Sequence, residues 1–158
     1  MSLTITSPAF ADGDPIPAVY TCDGEDRSPP LLFAGLPEGT RSLALVVDDP
    51  DAPDPAAPRM TFVHWVLYNL PPEASGLPEG IRDPAELPHG TQEGRNNWDR
   101  PGYGGPCPPV GRHRYFHRLY ALDCRLPDLS EPLREELDGA MEGHILAEAT
   151  LVGTYQRE

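Results

Sequence analysis

Seven short segments rich in β-branched and aromatic residues, each bounded by proline, glycine or aspartate, dominate this sequence. Runs of this length and composition are typical of β-strands, and the turn-forming residues between them indicate frequent chain reversals. The 21 prolines and 15 glycines lie between these runs and form no repeat. The pattern predicts a β-sandwich. The seven predicted strands are LTIT, PAVYT, PLLFAG, SLALVVDD, TFVHWVLYNL, HRYFHRLYAL and ATLVGTYQ.

The run from Leu43 to Val47 is apolar on both faces, which predicts a strand in the middle of a sheet. One helix is predicted. Ser130 is its expected N-cap, Leu133, Leu137 and Met141 recur at a spacing of four, and Gly143 marks its expected end. The long proline- and glycine-rich stretch 71–109 is expected to be functional, or ordered by short elements of its own.

The size and charge of the chain narrow the classes of protein that it can be. Its 158 residues predict one domain, 1–158, and no apolar window is long enough to span a membrane. The N-terminus lacks a basic segment followed by an apolar one, so a cytoplasmic location is expected. A formal charge of −13 disfavours binding to nucleic acid or to an anionic bilayer.

The three cysteines, Cys22, Cys107 and Cys124, are an odd number and include no CxxC pair. This pattern argues against a disulfide framework and against a structural zinc site. All three are expected to be reduced thiols, and the protein is expected to fold without a disulfide or a metal.

An acidic turn follows the predicted central strand. Pro50 has a fixed φ and lies between Asp49 and Asp51, so the two carboxylates are held in a stiff turn and can face one site. Aspartate is also a common turn residue at the end of a strand, and that explanation stays open.

Alternation along TFVHWVLYNL assigns Val63, Trp65 and Leu67 to one face of the strand. The other face then carries Phe62, His64, Val66 and Tyr68. Viewed alone, a histidine on such an apolar face is more often structural than functional.

In HRYFHRLYAL the same rule puts His113, Tyr115, His117 and Leu119 on one face. Two residues along a strand span roughly 6.6 Å, so His113 and Tyr115 can flank one small ligand. Arg114 points the other way and is interpreted as a structural ion-pair partner. Just upstream, Gly104 and Gly105 are candidates to present backbone N–H groups to an anion.

These clusters, in this order, resemble the phosphatidylethanolamine-binding family, also called Raf kinase inhibitor-like proteins, and most closely its bacterial branch. The resemblance covers most of the chain and is specific in combination: YTCDGEDRSPPL, VDDPDAP, FVHWVLYNLP, GRNNWDRPGYGGPCPPVGRHRYFHRLYALD and MEGHILAEATLVGTYQR. It implies an all-β fold with minor helices, an antiparallel Greek-key β-sandwich. It also implies a shallow pocket for phosphate, phosphorylated head groups or similar oxyanions, without catalysis and without a cofactor. The residues that match the family's pocket are Asp49, Asp51, His64, Gly105, Pro106, His113 and Tyr115.

The resulting hypothesis is that His64, His113 and Tyr115 donate hydrogen bonds to a phosphoryl group while Asp49 and Asp51 orient the histidines. The expected ligand is phosphate, phosphoethanolamine or a phospholipid head group. The main alternative is a metal-dependent hydrolase, because two aspartates and two histidines are adequate ligands for a transition metal. A nucleophilic Cys107, a homodimer and regulation of a protein partner also stay open.

Overall fold

Two antiparallel sheets form the body of the protein in the computed structural model, which describes residues 2–157. The smaller sheet has the order β1-β2-β5 and the larger one β6-β4-β3-β7-β8. The strands are β1 Thr4–Thr6, β2 Leu31–Ala34, β3 Ser42–Ala52, β4 Met60–Leu70, β5 Gly76–Leu77, β6 Gln92–Glu93, β7 His113–Leu122 and β8 Ile145–Tyr155. Helix α1 spans Arg134–Met141, and two 3₁₀ helices span Ala18–Tyr20 and Pro84–Glu86. The predicted β-sandwich fold is confirmed.

Strand β3 lies at the centre of the larger sheet, between β4 and β7, as the apolar run predicts. Leu43 and Leu45 face the smaller sheet, and Ala44 and Val46 face away from it towards α1. All four side chains are fully buried. A strand buried on both faces needs apolar residues at every position, and this requirement explains the absence of alternation there.

A separate apolar cluster covers each face of the larger sheet. One cluster fills the space between the two sheets and includes Phe33, Trp65 and Leu119. The other packs beneath α1, where Leu137 and Met141 meet the far side of the sheet. No helix within residues 2–157 has the length and hydropathy needed to cross a membrane.

The prediction of a strand at PAVYT is wrong, because this segment forms the 3₁₀ helix Ala18–Tyr20. The amide of Tyr20 donates to the carbonyl of Pro17, and the amide of Thr21 donates to that of Ala18. The hydroxyl of Thr21 also donates to the Ala18 carbonyl, at 2.8 Å. These short-range hydrogen bonds satisfy the backbone locally, so the β-branched content of the segment does not lead to strand pairing.

The predicted helix forms, but its predicted N-cap is wrong. Ser130 and Glu131 have positive φ values of 58° and 52°, and the helix begins only at Arg134. Leu133 occupies the N-cap position, and its amide donates to the Glu136 carboxylate at 2.9 Å. The Glu136 carboxylate thus satisfies the backbone amide of the N-cap residue, as the glutamate of a capping box does.

The prediction that all three cysteines are free thiols is also wrong. Cys22 and Cys107 form a disulfide, with their Cα atoms 5.4 Å apart, and Cys124 alone stays free. The backbone amide of Cys22 donates to the carbonyl of Pro106 at 3.1 Å, which keeps the two segments together. The cysteines are 85 positions apart, so only the three-dimensional fold brings them into contact.

Candidate functional site

A β-bulge in β4 sets the position of His64. The neighbouring strand pairs Val47 with Trp65 and then Asp48 with Val63, so His64 has no partner of its own in this ladder. The extra residue shifts the alternation, and the face assignment predicted from strict alternation is therefore wrong. Val66 and Tyr68 face the α1 side of the sheet together with Val63. His64 instead meets Tyr115 of β7, with ring centroids 5.2 Å apart.

Strand β7 follows regular alternation, and His113 and Tyr115 share a face as predicted, with ring centroids 6.3 Å apart. Nδ1 of His113 is 2.6 Å from Oδ2 of Asp49, which lies near the end of β3. Nε2 of the same ring is 2.8 Å from the carbonyl of Val110. Both ring nitrogens therefore contact acceptors. The arrangement needs protons on both nitrogens, or one on the carboxylate, and leaves no N–H of His113 for a ligand.

The Asp49 carboxylate is buried, and each of its oxygens has a hydrogen-bond partner. Oδ2 contacts His113, and Oδ1 accepts a hydrogen bond from the backbone amide of Asp51 at 2.8 Å. Burial raises the pKa of Asp49, and the hydrogen bond with His113 opposes that shift. Asp49 thus fixes His113 and the turn at the end of β3.

These side chains lie around a pocket of about 390 Å³. Most of its wall is apolar, and none of the described residues that line it is lysine or arginine. The lining residues are Asp49, Ala52, Pro53, Met60, Phe62, His64, Trp98, Cys107, Pro108, Pro109, His113 and Tyr115. A pocket with an apolar wall and a few polar groups at one place is the usual form of a small-molecule site.

His64 presents an acceptor to this pocket. Its Nδ1 is 2.8 Å from the carbonyl of Gly104, so Nδ1 carries the proton and donates. Burial lowers the pKa of His64 to about 4, and the ring is therefore neutral at pH 7. Nε2 has no hydrogen-bond partner among residues 2–157 and keeps its lone pair. In the free protein His64 therefore offers an acceptor at Nε2, in place of the donor that the sequence hypothesis assigned to it.

The hydroxyl of Tyr115 is the unsatisfied polar group of the site. The side chain is 1% exposed, and its oxygen has no hydrogen-bond partner within the described part of the chain. Burial and the negative charge of Asp49 raise the pKa of Tyr115, so the hydroxyl keeps its proton. A buried hydroxyl without a partner is costly, and one at the wall of a pocket is a donor available to a ligand.

Asp51 does not orient a histidine, contrary to the prediction. Its carboxylate accepts two hydrogen bonds from the guanidinium of Arg114, at 2.8 and 3.0 Å, and one from the Arg114 amide at 2.9 Å. The hydrogen bond from the Arg114 side chain lowers the pKa of Asp51, although burial opposes it. Asp51 does not line the pocket, and the prediction that Arg114 is a structural ion-pair partner is confirmed.

The predicted anion nest at the glycines is wrong, because both amides have partners in the protein. Gly104 donates to the carbonyl of His64 at 3.1 Å, and Gly105 donates to Oδ1 of Asp26 at 2.8 Å. A side chain at Gly104 would collide with the ring of Trp98, and one at Gly105 would collide with Asp26. These glycines are required for close packing behind the pocket. Neither Gly105 nor Pro106 lines it, whereas the next three residues do.

Trp98 is the main lining residue that the motif analysis missed. Its ring packs against Phe62 at 4.8 Å and against His64 at 5.2 Å between centroids, and 41% of the residue is exposed. The available signal was a tryptophan inside an otherwise polar, glycine-rich stretch, because a large exposed apolar side chain often marks a binding site. Met60, at the start of β4, is likewise exposed at the pocket.

The geometry does not support the alternative of a metal-dependent hydrolase at this site. Both nitrogens of His113 and one nitrogen of His64 contact protein acceptors, and Asp51 is bound to Arg114. Among residues 2–157, these side chains form no group that could hold a metal ion. Cys107 is in the disulfide and so offers no thiol nucleophile.

Comparison with known proteins finds relatives that match this chain over nearly the whole length of both chains. A sequence model described as phosphatidylethanolamine-binding protein matches residues 6–156. The UPF0098 protein of Methanothermobacter thermautotrophicus is 48% identical over 155 residues, covering 98% of this chain and 99% of the relative. A phosphatidylethanolamine-binding protein homologue from Chlamydia trachomatis superposes with a TM-score of 0.90 at 41% identity over 99% of both chains. YbcL of E. coli gives a TM-score of 0.90 at 29% identity over the full length of both chains.

Proposed function

The chain belongs to the phosphatidylethanolamine-binding protein family, and from this premise we propose that it is a non-catalytic binding protein for small ligands with a protonated, phosphate-like head group. The observation that carries this proposal is the pairing of one free donor with one free acceptor in an apolar pocket. The hydroxyl of Tyr115 has no hydrogen-bond partner among residues 2–157, and Nε2 of neutral His64 has a lone pair.

A monoprotonated phosphate monoester matches both groups. One of its oxygens accepts from Tyr115, and its P–OH donates to Nε2 of His64. A phosphate dianion lacks that proton and would place an oxygen against the lone pair of Nε2 of His64, with no lysine or arginine among the described lining residues to offset it. Sulfate esters, which carry no proton near neutral pH, are poor ligands for the same reason.

The energies set the expected affinity. Hydrogen bonds to a charged group contribute about 1.5 to 3 kcal/mol each, and association costs at least about 4 kcal/mol. Inorganic phosphate is therefore a weak ligand. An apolar or aromatic substituent adds about 25 cal/mol for each Å² that it buries against Phe62, Trp98 and the prolines. The ligands of higher affinity are phosphate monoesters with such a substituent.

Titration calorimetry with phenyl phosphate tests the proposal, with phenyl sulfate as the matched control. The second pKa of a phosphate monoester is about 6, so binding is measured at about pH 5.5 and about pH 8. If only the monoanion binds, the apparent affinity for total phenyl phosphate is up to about 75-fold higher at the lower pH, because the monoanion fraction is higher by that factor. Phenyl sulfate binds weakly at both pH values. Tighter binding of phenyl phosphate at the higher pH contradicts the proposed proton.

Two further arms of the experiment separate related functions. Glycerophosphoethanolamine is a diester without the proton, so it binds more weakly than phosphoethanolamine and without the pH dependence. Equal binding of the two esters would instead indicate the head group of an intact phospholipid as the ligand. Measurements with and without EDTA, together with an assay for phosphate release from phenyl phosphate, test the hydrolase alternative. Chelator-sensitive hydrolysis would overturn the non-catalytic assignment.

A further inference from the structure

Asp123 and His144 lie at the end of the larger sheet opposite to the candidate pocket. Strand β7 runs from His113, at the pocket, to Leu122, which pairs with Ile145 of β8. The antiparallel ladder continues for one more pair, since the amide of Asp123 donates to the carbonyl of His144 at 3.0 Å. Residues opposite each other in such a ladder bring their side chains together. Oδ1 of Asp123 is accordingly 2.9 Å from Nδ1 of His144.

Cys124 adds a third donor atom to this pair. The chain bends after β7, and the hydroxyl of Ser42 donates to the carbonyl of Cys124 at 2.6 Å, which fixes the backbone. One ligand atom from each of Asp123, Cys124 and His144 lies within 4.8 Å of the other two. Ligand atoms around a tetrahedral zinc ion are about 3.3 to 3.7 Å apart, given the usual bond lengths. Small side-chain rotations on a fixed backbone therefore bring the three atoms to one ion.

We propose that Asp123, Cys124 and His144 form a binding site for a divalent transition metal, with Zn²⁺ as the best match. Sulfur, imidazole nitrogen and carboxylate oxygen are the usual zinc ligands, whereas Mg²⁺ and Ca²⁺ prefer sites made only of oxygen. Three protein ligands leave the fourth position to water or to a donor from another molecule. Asp123 and His144 are each nearly half exposed, so an ion reaches the site from solvent. The formal charge of −13 favours the approach of cations.

Cobalt substitution gives a direct readout of the three ligands. Protein stripped of metal and kept without reductant is titrated with Co²⁺ or Zn²⁺. We expect one ion per chain, a thiolate-to-cobalt charge-transfer band and the visible bands of tetrahedral Co²⁺. Because Cys22 and Cys107 are joined in the disulfide, Cys124 is the only free thiol of the three cysteines. Zn²⁺ should therefore slow the alkylation of the protein by iodoacetamide several-fold.

Variants assign the signal to the site. Cys124→Ser removes the charge-transfer band, and Asp123→Asn and His144→Gln weaken Co²⁺ binding and thiol protection. The matched control is His89→Gln, which changes another exposed histidine and leaves both readouts unchanged. The proposal is overturned if Zn²⁺ does not protect the wild-type thiol, or if bound Co²⁺ shows only the weak spectrum of octahedral coordination. Zn²⁺ that binds equally to wild type and His144→Gln also overturns it.

Discussion

Tyr115→Phe removes a single oxygen atom from the candidate site and separates ligand binding from stability. In the free protein that oxygen is buried and makes no hydrogen bond with any of the residues 2–157. Leaving a buried polar group unsatisfied costs about 1 to 3 kcal/mol. The free energy of unfolding of the Phe variant is therefore expected to equal that of the wild type or to exceed it by up to about 1 to 3 kcal/mol.

The effect on binding has the opposite sign. In the proposed complex the hydroxyl of Tyr115 donates to a charged phosphoryl oxygen, a bond that contributes about 1.5 to 3 kcal/mol. Its loss weakens the binding of phenyl phosphate by about 10- to 150-fold. A side chain whose hydroxyl has only a structural role would show the reverse pattern, with lower stability and unchanged affinity.

Urea denaturation and calorimetry at about pH 5.5, below the second pKa of phenyl phosphate near 6, measure the two effects on the same protein preparations. Tyr120→Phe is the matched control, because Tyr120 is on the same strand but faces the α1 side of the sheet. Its affinity for phenyl phosphate should equal that of the wild type. The reasoning is refuted if Tyr115→Phe lowers the free energy of unfolding by more than about 1 kcal/mol while affinity is kept.

Three other perturbations have expected outcomes. Arg114→Ala leaves the Asp51 carboxylate without its ion-pair partner and lowers the free energy of unfolding by about 1 kcal/mol. The effect is small because the Arg114 side chain is 55% exposed. The affinity of this variant for phenyl phosphate, measured by calorimetry, stays unchanged. Reduction of the Cys22–Cys107 disulfide, which closes a long loop over 85 positions, lowers the free energy of unfolding by up to about 4 to 5 kcal/mol in urea denaturation; an unchanged midpoint would contradict a stabilising role. Burial lowers the pKa of His117 to about 4, below the value of about 6.5 in the unfolded chain. The contribution of neutral His117 to the free energy of unfolding is therefore fully present above about pH 6.5 and is lost as the pH falls towards 4. Burial also lowers the pKa of His64 to about 4, so His117→Gln should reduce that slope by about half, and an unchanged slope would show that other groups cause it.

The parts of the fold that follow from local periodicity were predictable. Strand β7 has no irregularity up to Ala121, so alternation correctly places His113 and Tyr115 on one face and Arg114 on the other. The central position of β3 likewise follows from an apolar run that only a strand buried on both faces can accommodate. In these segments each residue's environment depends on its own neighbours in the chain, and the sequence carries that information directly.

The features that depend on distant contacts were not predictable in this way. The bulge at His64 arises from the register between β3 and β4, and a shift of one residue changes the face of every side chain beyond it. The Cys22–Cys107 disulfide depends on two loops that meet only in the folded chain, and no spacing rule covers a separation of 85 positions. The odd number of cysteines wrongly suggested that all three were free, whereas only Cys124 is.

The choice of ligand depends on a still finer feature, the position of protons on two histidines. From the sequence, His64 and His113 are predicted donors to an anion, with a structural role or metal binding as the alternatives. The carbonyl of Gly104, 40 positions from His64, fixes the proton of that ring on Nδ1 and turns the other nitrogen into an acceptor. The carbonyl of Val110 and the carboxylate of Asp49 together occupy both nitrogens of His113. The two histidines thus change from expected donors to one available acceptor, Nε2 of His64, because three acceptors supplied by the fold determine which nitrogen can meet a ligand.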